Sequence, residues 1–292
     1  MKYLFLVLKG IVLGVANVIP GVSGGTMAVV FNVYDKIIDL ITPNIKKILR
    51  SWKFWVPLAL GMGIGIFVFS KIITLLLNSY PVPTTFFFIG LIAGSIPLVW
   101  KKTGLQKTGG ESSLSAARKV QLALCFAVGV ALVLCMMFFG FDDSAKDAAK
   151  ASAASLSGEF SFKVALMLFF AGAAAAIAMI IPGISGSFLL LALGMYAQIM
   201  GAIATLNVPL LVPFALGVMA GLIFGAALVR LLMAKAPSHT YSLILGLVAG
   251  SVVLLFVGVT KDFAGGVALV LFSVLTLAAG FAAAFFSSRS EN

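Results

Sequence analysis

The chain has 292 residues, 62% of them apolar and only 10% charged, with a mean hydropathy of +1.17 and a net charge of +11. A soluble domain carries about 25% charged residues, so that class is excluded, and disordered, nucleic-acid-binding and disulfide-scaffold classes fall with it. At about 20 residues per span, the apolar content allows at most about nine transmembrane helices.

The first apolar element runs over 2–18. Lys2 and the apolar stretch imitate a signal peptide, but Lys9 interrupts the run and no small-x-small cleavage site follows. Further elements are expected at 24–41, 54–78, 84–100 and 119–141. Cys125 and Cys135 share the last of these, roughly 15 Å apart on a helix and too far for a disulfide. After an Ala/Ser-rich linker, five more elements are expected at 161–180, 186–204, 208–233, 239–258 and 263–287.

The second five repeat the first. Ile19-Pro20-Gly21-Val22-Ser23-Gly24-Gly25 returns as Ile181-Pro182-Gly183-Ile184-Ser185-Gly186-Ser187, at an offset of 162 that also matches Tyr34 to Tyr196 and Ile37 to Ile199. The offset then becomes 156, matching Pro57 to Pro213, Gly61 to Gly217, Gly65 to Gly221, Pro81 to Pro237 and Ala93-Gly94-Ser95 to Ala249-Gly250-Ser251. Chance apolar similarity does not keep Gly, Pro, Ser and Tyr in order, so the chain reads as a duplication.

Pro20 and Pro182 each remove a backbone donor and disfavour helix at the preceding residue. Hairpins at membrane depth are allowed where they are buried in protein or line a wet cavity. The expected fold is an all-α polytopic membrane protein, one membrane domain over 1–292, with repeat one at 1–141, a periplasmic linker at 142–159 and repeat two at 160–288. Each repeat is read as a re-entrant helical hairpin plus three transmembrane helices. That is six full spans, formed by the third to fifth elements of each copy. An odd number of crossings per copy inverts the second relative to the first, the plan of many secondary transporters. With both termini cytoplasmic, the clusters Lys46/Lys47/Arg50/Lys53 and Lys101/Lys102/Lys107/Arg118/Lys119 fall inside, and the cytoplasmic segments carry the whole +11.

The two Ser-Gly turns are a candidate site for an anionic head group, phosphate or carboxylate: Ser23, Gly24, Gly25, Thr26, Ser185, Gly186 and Ser187. Serine is a favoured helix N-cap, and free amides at helix starts attract anions. The competing reading is close helix packing through small residues. Pro20, Gly21, Pro182 and Gly183 are the candidate hinges. Asn32, Asp35, Lys36 and Asp39 share one helical face, either lining a cavity or emerging into solvent. Asn17, Asp35 and Lys36 are the candidates for coupling or gating. Lys71 and Arg230 are candidate head-group contacts or snorkelling cations. His239, the single histidine, is read as a solvated loop residue. No Walker A motif, dinucleotide fingerprint or metal-ligand cluster is present, which argues for a transporter with no cofactor rather than an enzyme or ATP-driven pump.

The stretch Lys9 to Thr26, with Tyr34-Asp35-Lys36 and the second signature from Ile181 to Tyr196, resembles the bacterial polyprenyl-phosphate transporter family. The resemblance spans essentially the whole chain. It implies a cytoplasmic-membrane protein that returns undecaprenyl phosphate from the outer to the inner leaflet, recycling the carrier lipid of cell-wall synthesis. The Pro-Gly-x-Ser turn is also similar to that of undecaprenyl pyrophosphate phosphatases. There the turn continues with Arg, whereas Gly24 and Gly186 stand here. A transporter of a small soluble anion and a membrane phosphatase are the alternatives.

Overall fold

A computed structural model describes residues 2–18, 23–69, 75–76, 79–104, 115–140, 161–184, 186, 189–190, 193, 195–260 and 266–289. Among these the chain is helical throughout. The helices are α1 (Lys2–Val18), α2 (Gly24–Val30), α3 (Tyr34–Leu40), α4 (Ile45–Arg50), α5 (Trp52–Ile64) and α6 (Pro81–Lys102). They continue with α7 (Ala116–Gly140), α8 (Phe162–Ile180), α9 (Tyr196–Ala204), α10 (Val208–Lys235), α11 (Pro237–Thr260) and α12 (Val267–Arg289).

Six of the described helices, α6, α7, α8, α10, α11 and α12, are long and apolar enough to cross a membrane. The number six agrees with the sequence expectation, but the membership does not. The segment 161–180, expected as a half-helix, forms the uninterrupted 19-residue α8, started by Ser161, whose side chain accepts from the Val164 amide. Of the segment expected as one span over 54–78, the described residues form the end of the 13-residue α5 (Trp52–Ile64) and a π-helical turn at Gly65–Phe69 that continues it. Lys71 lies outside the described residues.

Element two also departs from expectation. The apolar pattern continues through 24–41, yet the helix stops at Val30 and restarts at Tyr34. Between them Asn32 takes a φ of 54°. Asparagine tolerates this left-handed backbone better than other non-glycine residues, so it ends one helix and starts the next. His239, expected in a loop, instead lies in the first turn of α11, within 3.4 Å of Gln121 on α7.

Close helix pairs organise the core. α1 packs along α5, and α8 along α10. The other pairs cross between the halves, α6 on α12 and α7 on α11. Glycines set the first two contacts. A side chain at Gly10 would strike the Leu58 carbonyl, at Gly61 the Val7 carbonyl and at Gly65 the Ile11 carbonyl. In the second half, Gly172 would strike Phe214, Gly217 would strike Phe169 and Gly221 would strike Ala173, again at the carbonyl. Every one of these six residue pairs maps onto its counterpart at the offsets of 162 and 156. The matched glycines thus mark where backbones touch, the usual device for packing helices in lipid.

Large apolar side chains point outward from the pairs, as a lipid solvent allows. Phe67 is 81% exposed and Leu275 67%.

Candidate functional site

The residues that follow the first Pro-Gly motif, from Ser23 on, meet the second Pro-Gly turn. Ser23 stands at the N-cap of α2 with extended backbone, but its side chain does not cap that helix. Its hydroxyl instead donates to the Ile184 carbonyl at 3.0 Å, on the turn of the other half. Thr26, fully buried, accepts from the Gly183 amide at 2.6 Å. Tyr34 donates its phenol proton to the Ile180 carbonyl at 3.0 Å. Three hydrogen bonds therefore sew α2 and α3 to the end of α8 and the turn that follows. The expected N-cap role of Ser23 is replaced by a contact between halves.

Two glycines make this docking feasible. Gly183 has a φ of +85°, and a side chain there would meet the Leu247 carbonyl oxygen at 2.8 Å and the Ser251 Oγ at 2.9 Å. Gly25 places its backbone against the Met179 and Ile180 carbonyls, with a Cβ only 3.1 and 3.2 Å away. The start of α2 thus faces the carbonyl end of α8, so the opposed helix-end charges attract each other. Gly24 lies under Asn17, whose Oδ1 would be 2.5 Å from an added Cβ. Asn17 itself donates to the Leu13 carbonyl at 2.9 Å. Gly186 packs on the Ala175 carbonyl, with a Cβ 2.6 Å away, and Pro182 sits in the second turn. Pro20, Gly21, Ser185 and Ser187 lie outside the described residues.

The polar stripe of 32–39 diverges. Asp35 accepts from Lys102 at 2.8 Å and from the Tyr241 hydroxyl at 2.7 Å. Lys102 also donates to Asn32 at 2.9 Å and lies 5.3 Å from the centre of the Tyr241 ring. The cluster joins the α2–α3 turn, the end of α6 and the start of α11, so it too bridges the halves. Lys36 turns away to the Phe54 ring at 5.7 Å. Asp39 pairs with Lys47 at the surface. Tyr241 was not singled out from sequence, and Lys102 was read only as a loop charge. A carboxylate in a chain this poor in acid was the available signal, since such a group near a membrane needs a partner.

Arg230 does not stand free for a head group in this state. Its guanidinium donates to the Ile38 and Ile41 carbonyls at 2.5 and 2.6 Å, closing the C-terminus of α3. Those carbonyls have no intrahelical donor, and a cation also opposes the partial negative charge there.

Beside the junction lies a cavity of about 310 Å³. Its lining includes Asn17, Gly24, Gly25 and Ile180 at the junction, and Leu13, Ile37, Phe54, Leu58 and Met62. The lining is almost wholly apolar. Among the described residues no cluster of His, Cys, Asp or Glu has the make-up of a metal site.

A family model described as undecaprenyl phosphate translocase-like matches residues 13–265, which take in both turns, the Asp35 cluster and the cavity. The chain belongs to the undecaprenyl phosphate translocase-like family. Two relatives are both named polyprenyl-phosphate transporter. One, from Vibrio cholerae, is 30% identical over 265 residues, covering 86% of this chain and 77% of its own length. The other, from Staphylococcus aureus, is 30% identical over 263 residues, covering 88% of this chain and 87% of its own length. No solved structure matches this translocase-like chain. The family and both relatives are named as transporters, in agreement with the expectation of a transporter rather than an enzyme.

Proposed function

We propose that this chain carries undecaprenyl phosphate from the outer to the inner leaflet of the bacterial cytoplasmic membrane by alternating access. The two halves are inverted repeats, hinged at Pro20-Gly21 and Pro182-Gly183. Both termini face the cytoplasm. The phosphate binds between the turns, at Ser23 to Thr26 and Ser185 to Ser187.

The observation that carries this reading is the pair of hydrogen bonds across the junction. Ser23 donates to Ile184, and Gly183 donates to Thr26. A phosphate entering the junction would accept from Ser23 and from the Gly183 amide, and would release the Thr26 hydroxyl to donate in turn. The first two steps each exchange a neutral hydrogen bond for a stronger charge-assisted one. Each also removes a bond that holds the halves together, so head-group binding loosens the closed junction. The Asp35–Lys102–Tyr241 cluster and Arg230 bridge the halves too, and are gating elements on the same logic. The nearly apolar cavity beside the junction favours a lipid phosphate over a small soluble anion.

The test is binding of undecaprenyl phosphate to purified protein, with Ser23→Ala and Ser185→Ala as variants. Loss of one hydrogen bond to a charged group weakens binding by about ten- to a hundredfold. Wild-type affinity in both variants would show the site to be elsewhere.

A further inference from the structure

We infer that the isoprenoid chain of the substrate does not stay wholly in the bilayer, and that its head-proximal units lie in a trough on α5 running from the turn junction to the lipid. The inference rests on the reading of the junction as the phosphate site. Three observations support it. The apolar cavity is lined by Gly24 and Gly25, so whatever fills it lies next to the junction. Its polarity is wrong for a phosphate and right for hydrocarbon.

Secondly, the cavity is not isolated. Trp55 and Ala59 line both it and an open groove of about 660 Å³ that continues over Leu60, Gly63, Ile64 and Phe67. Trp55, Ala59, Gly63 and Phe67 are spaced by four, so they form one row along the helix. Two small residues between two aromatic ones leave an open depression along this row. Gly61 and Gly65 hold the neighbouring face of α5 against α1, and Gly63, two residues from each, is turned away from that contact. A side chain built at Gly63 meets nothing within 4 Å.

Thirdly, the duplication supplies a comparison. At the offset of 156, Ala59 maps to Ala215 but Gly63 maps to Met219. The gap that Gly63 leaves in this row is therefore filled by Met219 in the second half. Among the described residues no neighbour approaches Gly63, so their packing does not require glycine there, whereas an open channel does. The cavity is too small for the full chain of a long polyprenol. It selects the first units, and the groove directs the rest into lipid.

Filling the trough tests this. Gly63→Trp and Ala59→Trp plug it at two levels, and Gly258→Trp is the control, because Gly258 is also free of neighbours but lies on α11. Binding is measured for undecaprenyl phosphate and for isopentenyl phosphate, which carries the head group with a single isoprene unit. Thermal unfolding in detergent checks that each variant is folded. Both trough variants should bind undecaprenyl phosphate at least tenfold more weakly, keep their affinity for isopentenyl phosphate and melt near the wild type. Gly258→Trp should change neither affinity. Unchanged undecaprenyl phosphate binding in Gly63→Trp, or an equal loss in Gly258→Trp, overturns the trough and leaves the junction site standing. If the wild-type chain binds neither phosphate, the junction reading fails and the trough fails with it.

Discussion

The α1–α5 and α8–α10 pairs share a set of backbone contacts and differ in almost everything else. Gly61 on the Val7 carbonyl and Gly217 on the Phe169 carbonyl are one contact made twice. Yet α10 is a continuous helix of 28 residues, whereas α5 ends after 13 in a π-helical turn. The cavity lies beside α5. Where α5 has Gly63, α10 has Met219, 56% exposed. The difference separates two kinds of constraint on a duplicated chain. Glycines at the helix contact cannot change in either copy without parting the pair. Residues one face away can diverge freely, and there the first copy has become concave.

The comparison can be broken most severely at the shared contact. Gly61→Leu and Gly217→Leu each drive a side chain into a backbone carbonyl, which no rotamer change relieves. Each should cost about 3 kcal/mol or more, seen as a lowered unfolding midpoint or loss of folded protein on size exclusion. Equal losses would confirm that the two pairs are equivalent, and tolerance of one alone would show that they are not.

An intermediate effect is expected at Arg230, where the halves are not reciprocal. The second half lends this cation to α3 of the first, while the repeat equivalent of Arg230 is Thr74. Arg230→Ala strands two helix-end carbonyls and should destabilise by about 2–3 kcal/mol. Hydrogen exchange at α3 should accelerate more than at α9. Uniform acceleration would mean that Arg230 supports the fold at large rather than α3.

The smallest effect separates two matched tyrosines. Tyr34→Phe removes the bond to Ile180 and should cost about 1 kcal/mol. Tyr196, its counterpart, has no such bridge among the described residues, and Tyr196→Phe should be close to neutral in the same melt. A larger loss at Tyr196 would reverse the assignment of the bridging role.

The repeat was legible because glycine and proline are constrained by backbone geometry, which survives divergence better than apolar identity does. It located the second turn, at Pro182-Gly183, but the pairing of helices came only from the structure. Asn32 was not legible as a break, since an apolar period of 3.6 runs straight through it and only the left-handed backbone reveals the turn. Nor was the Asp35 cluster. Its partners lie 67 and 206 residues away, and no local spacing links them. Ser23 was located correctly but given a local capping role, because a sequence displays the helix a serine precedes and not the second turn that it faces. The bounds of α8 were read to within one residue, at 161–180, but the helix was taken for half of a hairpin because of the proline after it, when that proline only ends it.

The crossed pairing of α6 with α12 has a consequence for how the protein is made. Thr276 on α12 donates to the Pro83 carbonyl on α6, a bond that closes 193 residues. At about 5–20 residues per second, the ribosome needs roughly 10–40 s to deliver the second partner after the first. Throughout that interval α6 sits in the bilayer with the glycine face meant for α12 covered only by lipid. Insertion of this chain is thus a process with a long wait, and a truncated product ending before α12 presents that face for quality control to recognise.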